Sequence, residues 1–134
     1  MESNYIVRAA NPEEAALLAE FMTLQAMETE GKTLELEKIT NGVKGIFERP
    51  HCGKYYVAVL KDSESVAGMI MIHFEMNLYL GSFIHWINSV YVHPDHRQVG
   101  VFRLMYNHVV AVAKSQAPLV KCVRLYVDLD NKVA

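Results

Sequence analysis

Cysteine is scarce in this chain: only Cys52 and Cys122 occur in 134 residues. They stand far apart, with neither CxxC nor metal-ligand spacing, so a disulfide framework is not expected. They read as a reduced pair in a cytoplasmic protein. The six histidines form no ligand cluster along the sequence, and no metal is expected. No apolar run approaches the roughly 20 residues that a membrane helix needs. The N-terminus has no basic region followed by an apolar stretch, so no signal peptide is read. Blocks of like charge are absent as well. Thirteen Lys+Arg against fifteen Asp+Glu leave a net charge of -2, which argues against a nucleic-acid binder or a polybasic membrane binder. Repeats and low-complexity segments are also lacking.

What is present is a globular balance, with 51% apolar and 21% charged residues. The length suits a single domain over residues 1–134 with a sizeable core. A short strand is expected at residues 5–9. Asn11-Pro12-Glu13-Glu14 then reads as a helix start: Asn caps, Pro suits the first turn, and the acids face the positive dipole end. That helix is expected to reach about Met27 and to close at Glu28-Thr29-Glu30-Gly31. A second helix is expected over 34–47. Strands follow at 55–61 and 66–74, joined by a turn at 62–65, and the second is too apolar to have one face in water. A further strand spans 83–92, a helix begins near Gly100, and a last strand covers 123–128. A strand–helix–strand crossover implies a parallel pair. The fold class is therefore α/β, a mixed and mostly antiparallel sheet flanked by helices.

The segment richest in chemistry is SVYVHPDHRQVGVFRLMY, Ser89 to Tyr106. A strand runs through a polar turn into Arg97-Gln98-Val99-Gly100 and then an amphipathic helix. Such a helix start leaves backbone N–H groups unpaired and, with the dipole, forms an anion site suited to a pyrophosphate. Gly100 permits close approach of the backbone to a phosphate. Arg97 and Arg103 can add charge-assisted bonds. Neither GxGxxG nor GxxxxGK[ST] is present, so dinucleotide and P-loop readings are weak. An ordinary strand-to-helix loop is the bland alternative.

This stretch resembles the acetyl-CoA-binding motif of the GNAT family of N-acetyltransferases, V-x-V-x-P followed by R-x-x-G-x-G/A. It stands here as Val90-Tyr91-Val92-His93-Pro94 and Arg97-Gln98-Val99-Gly100-Val101-Phe102. The element order, Glu28-Thr29-Glu30-Gly31 and the VDLDN ending fit that family too, so the resemblance covers essentially the whole chain. It implies a GNAT-like fold and transfer of acetyl from acetyl-CoA to a primary amine in a ternary complex. It implies that the backbone of Val90, Tyr91 and Val92 bonds the pantetheine arm. The N–H groups of Gln98, Val99, Gly100, Val101 and Phe102 would hold the pyrophosphate, and Asn131 matches an Asn that often contacts the cofactor. Phe102 departs from the family pattern, which has Gly or Ala there. The chain also stops at Ala134, before the family's Tyr-bearing helix and last strand. A homodimer is the expected consequence, and a catalytically impaired CoA-binding or interaction module is the alternative function.

Glu28, Glu30 and Glu75 are the candidate acids for drawing in an ammonium or acting as base, with solvated carboxylates as the alternative. The amine acceptor, small molecule or peptide, is left open. Ser89 and Tyr91 alternate with Val90 and face away from it unless a bulge intervenes. Tyr91, His73, His85 and Trp86 read as packing residues.

Overall fold

Alternating apolar stripes in this chain assemble one sheet with helices on both sides. The computed structural model describes residues 4–125. The strands are β1 (Tyr5–Ala9), β2 (Gly53–Leu60), β3 (Val66–Asn77), β4 (Ser82–Val92) and β5 (Val120–Leu125). They lie in the order β1-β2-β3-β4-β5. The first three pairings are antiparallel and β4–β5 is parallel, because helix α3 (Val101–Ser115) returns the chain to the start of β5. Helices α1 (Ala15–Glu30) and α2 (Leu36–Glu48) cover the opposite face.

β3 explains the two-sided core. Met69 and Met71 point toward α1 and α2, where Leu18 and Phe21 of α1 and Val43 of α2 are buried. Ile70 and Ile72 point toward α3, where Val101, Met105 and Val109 form an i, i+4 stripe. With both faces covered, the strand needs no polar alternation. Each such fully buried side chain contributes about 1.5–3 kcal/mol of transfer free energy. Gly68 lets α3 approach: a Cβ there would lie 2.9 Å from Tyr91 O and 3.3 Å from Met105 Cε.

Several boundaries move from their expected places. α1 runs one turn further, to Glu30, and ends at Gly31, whose N–H donates to Met27 O at 3.1 Å. α2 begins at Leu36 rather than residue 34 and continues through Gly42 and Gly45. β5 begins at Val120 rather than residue 123, because Phe83 N–H donates to Leu119 O at 2.8 Å and starts the ladder immediately after Pro118. At the N-terminus, Arg8 clamps Glu14 with two bonds of 2.8 and 2.9 Å, and Asn11 N–H donates to the same carboxylate. The guanidinium holds the Glu14 carboxyl below its ordinary pKa.

The register of β4 contains one irregularity. Met71 pairs with Ser89 and Ile72 with Ile87, so Asn88 is an extra, bulged residue. Ile87 and Ser89 would share a face in a regular strand. The bulge sends Ile87 toward α3 and leaves Ser89 beside Met71 on the α1 side.

Candidate active site

β4 delivers the chain to a short 3-10 turn, Pro94–His96. His93 Nδ1 accepts from Asp95 N–H at 3.2 Å, and the Tyr5 hydroxyl lies 2.8 Å from His96 Nδ1, which ties the turn to β1. Beyond Arg97 the backbone takes two left-handed residues, Gln98 at φ 64° and Gly100 at φ 90°. The first helical bond of α3 is Leu104 N–H to Gly100 O, 3.1 Å. The N–H groups of Gln98, Val99, Gly100, Val101, Phe102 and Arg103 therefore have no carbonyl partner among the described residues. A row of unsatisfied donors at a positive helix end is an anion cradle.

The side chains around this row divide by role. Val99 is exposed, while Val101 is buried under α3 and anchors the first turn. Arg103 is exposed on that turn, with no ion-pair partner among the described residues. Phe102 does not wall off the amides. Its ring stacks on Tyr106 one turn further along the helix, with centroids 6.1 Å apart. Together these rings line a groove of about 270 Å³ with Ile87, Val123, Arg124 and Leu125, running between α3 and β5.

Arg97 does something the sequence does not announce. Its Nε donates to Val92 O at 2.8 Å and a terminal nitrogen donates to Glu28 at 2.7 Å. The guanidinium also lies 5.5 Å from the centroid of the Tyr91 ring. The hydrogen bond to Glu28 raises the Arg97 pKa further above its usual value. In this structure Arg97 pins the end of α1 to the end of β4. Both side chains are about one-third exposed, so the pair is worth only about 1 kcal/mol. A Glu28→Gln/Arg97→Gln double-mutant cycle, measured by urea unfolding, is expected to return that coupling energy. Strict additivity of the two substitutions would overturn the pin.

Tyr91 faces α1, with its ring 5.1 Å from that of Phe21, and burial pushes its phenol pKa up. Only its backbone is available to a ligand. Val90 and Val92 face α3. β4–β5 pairing among the described residues ends at Ile87↔Leu125, so the backbone of Val90 to Val92 lies past the last described pair.

The three candidate carboxylates are not brought together. Glu28 is held by Arg97, and Glu30 is exposed 3.7 Å from Lys32 Nζ. Glu75 pairs with Ile84 near the other end of the sheet, roughly 25 Å of strand from Val92. It shares the α1 face with His73 and Trp86, which pair with each other nearer the Asn88 bulge. Asn131 lies outside the described residues. Among the described residues no group of His, Cys, Asp and Glu is placed to hold a metal ion, and no helix is long and apolar enough to cross a membrane. Sequence reading missed the bulge and the Arg97–Glu28 pin. The adjacent polar pair Asn88-Ser89, which breaks the alternation of an apolar strand, was the available signal for the first, and nothing local signals the second.

Comparison with known proteins gives a consistent result. Residues 17–134 match the family model described as Acetyltransferase (GNAT) family. No curated protein sequence matches the chain. Among solved structures, a possible acetyltransferase from Clostridium difficile 630 superposes with a TM-score of 0.87 at 29% identity, covering 97% of this chain and 84% of that one. A structure described as a probable acetyltransferase gives 0.84 at 17% identity, covering 95% and 82%. Glucosamine-6-phosphate N-acetyltransferase from Arabidopsis thaliana gives 0.70 at 17% identity, covering 98% and 87%. The latter two likenesses establish the fold alone.

Proposed function

The chain belongs to the GNAT acetyltransferase family, and from that premise we propose that it moves the acetyl group of acetyl-CoA directly onto a primary amine. The observation that carries this reading is the row of unpartnered N–H groups from Gln98 to Arg103, opened by Gly100 at φ 90°. Those donors suit the diphosphate of acetyl-CoA, and exposed Arg103 adds a positive charge beside them. The cosubstrate supplies an activated acyl carbon and a thiolate leaving group.

The chain's own residues position and polarise. Backbone groups of Val90, Tyr91 and Val92 run beside the groove walled by Phe102 and Tyr106, where an extended pantetheine arm fits. The Asn88 bulge takes one peptide unit out of the β3–β4 ladder and makes its N–H available to a thioester oxygen. The amine approaches from the α1 face, where Glu30, Glu75 and His73 are exposed. That slightly acidic face favours a cationic acceptor, and one of its carboxylates, acting through water, accepts the ammonium proton before attack. The N–C bond then forms, the C–S bond breaks, and the thiolate takes a proton from water.

Incubation of the protein with acetyl-CoA and a panel of primary amines is expected to release free CoA thiol only when an amine is present. Calorimetry is expected to show CoA binding without one. Absence of CoA binding overturns the cofactor reading, and binding without turnover on any amine overturns the transfer reading.

A further inference from the structure

At the far end of the sheet from the Gly100 loop, a second cavity opens around the start of β2, bounded by the C-terminal half of α3 and strands β3–β5 on one side and by the end of α2 with Pro50 and His51 on the other. We infer that this cavity is a binding site for a small carboxylate with a flat apolar body, separate from the acetyl-CoA cleft. Its volume is about 680 Å³, within the roughly 300–1,000 Å³ of small-molecule sites.

Two buried polar side chains line it without partners. His85 is 6% exposed, and neither ring nitrogen has a hydrogen bond among the described residues; its ring rests 4.7 Å from that of Phe74. Tyr56 is 7% exposed, and its hydroxyl has no hydrogen-bond partner either. No fully enclosed side-chain polar atom is unsatisfied among the described residues, so these groups open into the cavity rather than against protein. Polar atoms that face a cavity with no protein partner are available to bond a ligand and fix its orientation. His108 stands 4.9 Å from the Tyr56 ring, and Lys54 Nζ lies 5.3 Å from the same ring.

The charge inventory selects the ligand. No Asp or Glu is among the described residues lining the cavity. Burial pushes the His85 and His108 pKa values down, and Lys54 pushes His108 further the same way. Both imidazoles are thus neutral near pH 7, and the ammonium of Lys54 at the rim is the charge to be matched. Phe74 and Val112 supply apolar walls, and the flanking rings favour a planar body. A monocarboxylate would set its anion against Lys54 and Tyr56 and its apolar part below, with His85 and His108 as neutral donors or acceptors. Nothing in this placement uses the Gly100 loop, so the site stands or falls independently of acetyl transfer.

The test uses 3-phenylpropanoate and, as its uncharged counterpart, 3-phenylpropanamide, titrated into the full chain. Amide ¹H–¹⁵N spectra are expected to shift at Lys54, Tyr56, His85 and His108 and to stay fixed at residues 98–103. The acid is expected to bind about tenfold more tightly than the amide. Lys54→Met, an exposed position, is expected to remove that tenfold advantage while CoA affinity stays within about twofold. Val112→Trp fills the cavity and is expected to abolish binding, with Val112→Met as the milder filling variant. No shifts, shifts confined to residues 98–103, equal affinity for acid and amide, or unchanged acid affinity in Lys54→Met would each overturn the assignment.

Discussion

Gly100→Val is expected to weaken CoA binding by about 100-fold while lowering folding stability by only about 1–3 kcal/mol. The two effects separate because of where Gly100 sits. A Cβ at this position would meet nothing within 4 Å, so no protein atom is displaced. The cost is conformational: φ is 90°, a region that a β-branched residue does not tolerate. Valine relieves the strain by rotating the peptide units on either side, and these carry the N–H groups of Gly100 and Val101. Weakening these two hydrogen bonds to a charged diphosphate, each worth about 1.5–3 kcal/mol when intact, by roughly half accounts for the fall in affinity. Isothermal calorimetry with CoA, beside a urea melt of the same sample, checks both numbers. A folded variant with unchanged CoA affinity would place the diphosphate elsewhere.

Deleting Asn88 is the second large effect expected, and it should strike turnover rather than folding. The bulged residue is surplus to the ladder: with it removed, Ile87 still pairs with Ile72 and Ser89 with Met71. Every core-facing side chain on either side keeps its face, so the fold survives and the Gly100 loop keeps its place after Val92. What disappears is the peptide unit outside the ladder, the group proposed to polarise the thioester carbonyl. Loss of a single donor of that kind lowers kcat by about 100- to 1,000-fold. Steady-state kinetics with the best amine of the panel, alongside CoA calorimetry, is the check. Undiminished kcat in the deletion variant would remove the bulge from the mechanism; a melt matching that of the parent chain confirms that folding was spared.

Much of the fold was legible because its signals are local. The β3 sequence VAGMIMIHF announces a strand buried on two faces, and the structure covers it with α1 on one side and α3 on the other. Asn11-Pro12-Glu13-Glu14 marks a chain turning into a helix, although its first turn is 3-10. Arg97-Gln98-Val99-Gly100 reads as a loop with exposed donors, and the amides are indeed without carbonyl partners among the described residues. Boundaries slipped where the deciding contact was tertiary. The Leu119 carbonyl that starts β5 has meaning only once β4 lies beside it.

The candidate site was legible in its backbone and much less so in its side chains. Glycine at a left-handed position and the orphan donors of a helix start follow from φ preferences and from the i→i−4 bond pattern. Both operate within a few residues, and composition with periodicity suffices for them. The partner of Arg97 is 69 positions away. The turn of Phe102 toward Tyr106 depends on the groove beside β5, the slip at Asn88 depends on the register of β3, and the emptiness around His85 depends on where α3 comes to rest. Those four features need the sheet and helices assembled, because they are set by which surfaces meet across the core. No neighbour in sequence carries that information.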